Sequence, residues 1–128
     1  MTDLIKKALG KKNWAVVGVT PNKTKYGYIV FKRLLESGYN VYAINPYYDE
    51  IEGNKVYDSL SDISVRIECL SMIVSPKIGQ RYIEEAAKLG VEMGWFQPGA
   101  ESIELIELCK NNNITPIYNA CVLVALSA

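Results

Sequence analysis

The sequence predicts an α/β fold, doubly wound, with a mostly parallel sheet of about five to six strands and helices on both faces. Three observations lead there. Short apolar runs of strand type alternate with segments whose apolar residues recur at helical spacing, almost to the end of the chain. The first run breaks at Gly18 into a polar loop, re-enters helical spacing after Gly27 and is followed by a second run. That order has the length of one right-handed parallel crossover, about thirty residues. Finally, the apolar runs end in Asn45-Pro46, Ser75-Pro76 and Gln97-Pro98-Gly99, residues that stop a ladder or open a helix.

At 128 residues the chain has the length of one domain with its own core. Residues 1–10 read as a short amphipathic helix, with Thr2 or Asp3 as cap, Leu4, Ile5, Ala8 and Leu9 on the apolar face and Gly10 at the end. Its charges do not fit a secretory leader. Trp14 to Val17 is the first strand. Tyr28 to Ser37 follows as a helix, with Val30, Phe31, Leu34 and Leu35 on one face and Gly38 as its stop, and Val41 to Ile44 is the second strand. Tyr47 to Asn54 reads as polar turns, Lys55 to Tyr57 as a short strand and Ser59 to Ile63 as a helical turn. Cys69 to Val74 is a further strand, and Pro76 opens a helix to about Leu89 with Ile83, Ala86, Ala87 and Ile78 inward and Gly90 as its stop. Glu92 to Phe96, a helix from Gly99 to Asn111 with Ile103, Ile106 and Cys109 in register, and a last strand from Ile114 to Tyr118 complete the alternation. The apolar tail, Cys121 to Ala128, is expected to pack down as one or two helical turns.

Composition closes off several classes of function. Fourteen basic and fourteen acidic residues cancel, which excludes a broad basic surface for nucleic acid. No apolar run approaches the roughly eighteen residues needed to cross a bilayer, so no membrane partner is expected. Three cysteines, Cys69, Cys109 and Cys121, lack any Cys-x-x-Cys pair, so neither a disulfide framework nor a zinc site is indicated and a reducing cytoplasm fits. The chain has no histidine, which removes Ser-His and Cys-His nucleophile pairs, a phosphohistidine and most zinc-hydrolase arrangements. Asp49-Glu50 and Glu84-Glu85 are adjacent carboxylates that do not converge, and both read as solvated. No catalytic constellation and no metal site is expected.

What remains is a local anion site. A glycine at a strand end lets backbone approach a ligand closely, and the unpaired amides opening the next helix point at the same space. Thr20 and Asn22 add side-chain donors, while Lys23 and Lys25 add charge. In an open sheet of this kind ligands sit outside the carboxyl ends of the strands, where strand order reverses. The loops gathered there are residues 18–27, Asn45 to Tyr48, Ser75-Pro76, Gln97-Pro98-Gly99 and Asn119 to Cys121. Tyr26, Tyr28, Tyr47 and Tyr48 flank the first two, and an adenine ring stacked on one of them would contribute about 1 kcal/mol. A dinucleotide site would want Gly-x-Gly-x-x-Gly after the first strand and an acidic residue ending the second. Here Thr20 replaces the second glycine and Asn45 stands in the acidic position, both counting against NAD.

Four segments in order carry a resemblance to a known family: Val16-Val17-Gly18-Val19-Thr20-Pro21-Asn22-Lys23 with Lys25-Tyr26-Gly27, then residues 45–51 with Gly53 and Lys55-Val56-Tyr57, then Trp95-Phe96-Gln97-Pro98-Gly99, and Cys121. Together they resemble the small single-domain CoA-binding proteins, related to the N-terminal domain of the succinyl-CoA synthetase alpha subunit. The resemblance implies a Rossmann-like domain, residues 1–128, with coenzyme A as its ligand. Gly18, Val19, Thr20, Asn22, Lys23, Lys25, Tyr26 and Gly27 would hold the pyrophosphate. Asn45 and Pro46 would border the nucleotide and Ser75 and Pro76 the pantetheine path, with Tyr47, Gln97 and Cys121 as further candidates for contact with the ligand. The sequence departs from the family at Tyr47, where members often carry lysine, so Lys25 or Lys23 would have to meet the 3′-phosphate. It also departs at Val122, where many members have proline after the cysteine. The synthetase's phosphohistidine has no counterpart here.

The reading is thus of a cytoplasmic domain that binds CoA or an acyl-CoA without catalysing a reaction by itself. Cys121 could exchange with the CoA thiol if it were accessible, and is otherwise an inert buried cysteine. Two other readings stay open at this level. One is an NAD(P)-binding redox sensor or oxidoreductase. The other is a regulatory module whose apolar tail docks a partner or a second copy in a homodimer.

Overall fold

In the computed structural model, which describes residues 1–127, the centre of the molecule is β1 (Asn13–Val17), every residue of which from Trp14 onward is buried. A strand covered on both faces must be apolar at every position, which is why this run shows no polar alternation. Around it the chain lays down α1 (Thr2–Leu9), α2 (Tyr26–Glu36), β2 (Asn40–Ile44), β3 (Glu50–Ile51), β4 (Asn54–Tyr57) and a 3-10 turn over Leu60–Asp62. There follow β5 (Cys69–Met72), α3 (Pro76–Leu89), β6 (Met93–Phe96), α4 (Ile103–Asn111), β7 (Thr115–Ile117) and α5 (Val122–Ser127).

The sheet runs β3-β4-β2-β1-β5-β6-β7 and is parallel except for the β3/β4 hairpin. Its two faces carry separate cores. Ala15, Val17, Leu70 and Met72 pack with Ile83 and Ala86 of α3 and Leu105 and Cys109 of α4. Trp14, Val16, Met93 and Trp95 pack with Val30, Phe31 and Leu34 of α2, with Ala8 of α1 and with Val122 of α5. Alternate residues of one strand thus serve opposite layers, as the two-residue period requires. The chain steps from β1 to β2 on one side and returns to β5 on the other, so strand order reverses at β1.

Seven strands replace the five to six expected, and the difference lies in the segment 47–54 that reads as polar turns. Ile51 pairs with Asn54 across a two-residue turn in which Glu52 and Gly53 both have positive φ, 51° and 81°. Such a mirror-image turn matches strand twist, but glutamate is an unusual residue for its first position. The expected caps of α1 also move. Met1 is its N-cap with no side-chain hydrogen bond, and Asp3 lies in the first turn, where its charge complements the helix dipole.

Two helical registers are corrected. The buried stripe of α3 is Gly79, Tyr82, Ile83 and Ala86, which leaves Ile78 exposed. Helix α4 begins at Ile103, with the Ser102 hydroxyl accepting from the Leu105 amide at 3.1 Å, and it buries Leu105 and Cys109, so Ile103 faces solvent. Glu85, read as solvated, instead accepts from the Leu60 and Ser61 amides at 2.8 and 3.1 Å and from the Ser61 hydroxyl at 2.6 Å. It ties the 3-10 turn to α3. The tail forms α5, with Val122 fully buried and Leu123, Ala125 and Leu126 against the α2 layer. Val124 stays exposed. Ala128, the last residue of that tail, lies outside the described residues.

Candidate functional site

The site begins where β1 ends. Gly18 leaves the strand with φ of 108°, and its amide still donates to the Ile44 carbonyl at 3.0 Å, holding the loop against the end of β2. Helix α2 then returns directly over this glycine. A Cβ on Gly27 would lie 2.1 Å from the Gly18 carbonyl oxygen, so the contact exists only without a side chain at position 27. No side chain caps α2, whose N-cap is Lys25. Its opening amides therefore face the loop with the positive end of the helix dipole.

Asn45 joins the two strand ends. Its Nδ2 donates to the Val19 carbonyl at 2.8 Å, and its Oδ1 accepts from the Tyr47 amide at 2.9 Å. The loop between Gly18 and α2 is organised by Asn22, whose Oδ1 accepts from the Thr24 amide and hydroxyl at 3.1 and 2.7 Å. The Thr20 hydroxyl accepts from the Asn22 amide at 3.3 Å. Lys23 and Lys25 are exposed on this loop. Glu52, at the hairpin tip, accepts from Tyr28 at 2.6 Å and from Lys32 at 3.3 Å. Those bonds, with Tyr28 the stronger influence, and the charges of Lys32 and Lys23 hold its carboxyl below the usual range. Lys23 thus stands in the field of the hairpin.

A cleft of about 300 Å³ opens where strand order reverses. Gly18, Asn45, Pro46 and Tyr47 line it, together with Lys77, Ile78, Arg81 and Tyr82 of α3. Tyr47 is the most exposed large apolar side chain, at 86 %. Ser75 and Pro76, at the start of α3, adjoin the lining residues Val74 and Lys77, and the Ser75 hydroxyl makes no capping bond. Among the described residues no carboxylate lines the cleft. Lys77 and Arg81 were not anticipated, although their four-residue spacing on a helix that starts at a strand's carboxyl end is a readable signal.

Tyr26, Gln97 and Cys121 form a separate cluster. The Tyr26 hydroxyl meets the Cys121 thiol and lies 3.5 Å from Gln97 Oε1. Burial first, and then the thiol contact, raises the Tyr26 pKa. Gln97 is 1 % exposed, with Nε2 donating to Ser71 Oγ at 3.1 Å and Oε1 accepting from the Val122 amide at 2.9 Å. It anchors the start of α5 and leaves no polar atom for a ligand. Val19 likewise turns its side chain into the core, so only its backbone belongs to the loop. Cys121 is half-buried and borders an apolar groove of about 640 Å³ between α1 and α5. Cys69 and Cys109 are buried, which pushes the Cys69 thiol well up and that of Cys109 up to about 12.

A doubly wound sheet with a glycine-floored cleft at its reversal point is the Rossmann-like architecture, in which ligands sit outside the carboxyl ends of the strands. Residues 12–127 match the CoA binding domain family, and the chain belongs to it. It is 31 % identical over 119 residues to the ADP-forming acetate–CoA ligase of Methanocaldococcus jannaschii, a match over 87 % of this chain but only 17 % of that enzyme. It is 28 % identical over 114 residues to the uncharacterized protein YneT of Bacillus subtilis, covering 89 % of this chain and 84 % of that one. A solved structure of a hypothetical protein from Pyrococcus horikoshii OT3 superposes with a TM-score of 0.95 at 34 % identity, over 99 % of this chain and 90 % of the other. The seven-stranded Rossmann-like sheet is thus that of its relatives. Among the described residues no helix is long and apolar enough to cross a membrane, and no group of acidic, histidine or cysteine side chains is placed to hold a metal.

Proposed function

We propose that this domain binds coenzyme A or an acyl-CoA across the carboxyl ends of β1, β2 and β5, without catalysing a reaction by itself. The observation that carries the reading is the approach of α2 to the strand-end glycine. The helix dipole and its uncapped amides are brought over a loop that also carries Lys23 and Lys25. A pyrophosphate fits there, because backbone amides at a helix start favour anions and the missing Cβ leaves room for close approach. The Thr20 hydroxyl and the side-chain Nδ2 of Asn22 add donors from the same loop. The adenosine would occupy the cleft beside Asn45, Pro46 and Tyr47, and the pantetheine would leave past Ser75 and Pro76. Its thiol end would run toward Tyr26 and Cys121.

The chemistry of the donor set suits carriage of a thioester. It offers orientation and positive potential, with no histidine in the chain and, among the described residues, no carboxylate lining the cleft to activate water or a nucleophile. In the acetate–CoA ligases a region of this kind is a small part of a much longer chain. The reading for this chain is therefore a CoA-binding unit that hands its ligand to a partner or reports its level. Calorimetric titration with CoA, dephospho-CoA, NAD and NADP tests it. CoA and dephospho-CoA should bind and NAD should not; heats for NAD matching those for CoA, or no heat with CoA, would overturn it.

A further inference from the structure

We propose that Lys77 and Arg81 hold the phosphomonoester at the ribose end of the ligand, supplying the cation contact that Tyr47 cannot. The inference rests on the CoA reading above and adds the residues that would make the domain prefer CoA over ligands lacking that phosphate. The family resemblance expects a lysine after Asn45-Pro46, and a tyrosine stands there. The compensating charge was expected on the loop 18–27, yet neither Lys23 nor Lys25 lines the cleft. Its two cationic linings come from the other wall, one helical turn apart on α3.

Their placement suits a dianion. Side chains at i and i+4 of a helix start about 5–6 Å apart, so two long cationic chains can close on one phosphate from the same face. Lys77 lies in the first turn of α3, where the dipole already favours negative charge. Arg81 is held by stacking, with its guanidinium carbon 4.9 Å from the centre of the Tyr82 ring. That ring is 2 % exposed, and its hydroxyl donates to the Asp58 carbonyl at 3.4 Å, so the platform under the guanidinium is fixed. A stacked planar fork is well suited to bidentate contact with phosphate oxygens.

The surrounding acids leave both cations available. Among the described ion pairs neither Lys77 nor Arg81 takes part. Glu85 is engaged in capping the 3-10 turn, and Glu84, which lines a second cavity together with Arg81, forms no ion pair with it among the described pairs. Geometry also separates the two phosphate sites. The pyrophosphate has the loop 18–27, and a nucleoside stacked by Tyr47 would put its ribose at the mouth of the cleft, beside the first two turns of α3.

The test compares the CoA to dephospho-CoA affinity ratio, by calorimetry, in the wild type, in a Lys77→Gln/Arg81→Gln double variant and in the same variant carrying Tyr47→Lys. The wild type should prefer CoA by roughly ten- to hundredfold, the range expected for charge-assisted hydrogen bonds to one phosphate. In the double variant the ratio should fall to about one while dephospho-CoA binds as before, and Tyr47→Lys should restore a preference. Both side chains are exposed, so the fold should survive, and a Lys88→Gln variant on the same helix should leave the ratio alone. A ratio that persists in the double variant, or equal losses for both ligands, overturns the assignment while leaving CoA binding intact. Failure of the wild type to bind either ligand overturns the underlying reading itself.

Discussion

At Gly27 two physical effects oppose each other. Alanine is the better helix former by about 1 kcal/mol, so Gly27→Ala near the start of α2 would stabilise an isolated helix. In this fold the new Cβ would meet backbone at 2.1 Å, and neither partner is the free end of a side chain. Overpacking of this kind costs about 1–3 kcal/mol or more, which exceeds the propensity gain. Gly27→Ala should therefore lower stability in urea unfolding and weaken CoA binding together. A variant as stable as the wild type with unchanged affinity would show that α2 can lift without consequence. The thiols divide on equally local grounds. Burial raises the Cys69 and Cys109 pKa values, leaving only half-buried Cys121 beside a surface groove. Since the thiolate is the reactive form, Ellman's reagent should modify one thiol quickly in the native protein and the other two only on unfolding. Cys121→Ser should abolish the fast phase; a fast phase that survives would place an opening motion elsewhere in the core.

At the scale of elements, Glu85 shows how a side chain joins two pieces of backbone. Burial alone would raise its pKa, but the bonds from the Ser61 hydroxyl and from the Leu60 and Ser61 amides outweigh that and hold it below the ordinary value of 4.5. A carboxyl whose pKa is depressed by folding contributes stability that is present above its unfolded value and is lost as pH falls through the folded one. Glu85→Gln should thus cost about 1 kcal/mol at neutral pH, the gain of charged hydrogen bonds discounted for partial exposure. The gap between the thermal unfolding curves of variant and wild type should narrow as pH falls below the ordinary value of 4.5 and close once the carboxyl protonates in the folded protein. A gap independent of pH would mean that shape, not charge, joins the turn to α3. Elements of this kind also mark where sequence reading stopped. The parallel strands and α2 were legible because Trp14 to Val17 and the Val30, Phe31, Leu34 stripe announce burial directly. The β3/β4 hairpin was not, because Glu52 adopts a positive φ that tertiary context imposes. Ser75 and Pro76 were legible as site candidates, but the next turn of α3 was not, for a different reason. Its apolar periodicity marks only the core face, and Lys77 and Arg81 look like solvated cations until the fold places them beside Tyr47.

For the whole molecule the deciding quantity is how charge is distributed, because its sum is zero. A CoA ligand carries roughly three to four negative charges at neutral pH, from a pyrophosphate and a phosphomonoester with a second pKa near 6. With no net charge to attract it from a distance, its binding must draw on the short-range fields of Lys23, Lys25, Lys77 and Arg81 and of two helix starts. Charges at the surface are screened over about 10 Å at 0.1 M salt and about 3 Å at 1 M. Raising salt from 0.05 to 0.5 M should therefore weaken CoA binding by roughly tenfold, and dephospho-CoA binding by less, since it lacks the dianion facing α3. Fold stability over the same range should change little, because among the described residues the ion pairs are few and partly exposed. Calorimetric affinities measured beside urea midpoints at each salt concentration separate the two effects. If affinity and stability fell in parallel, salt would be acting on the fold; if CoA affinity did not move at all, ligand recognition would rest on apolar contact rather than on the cations around this cleft.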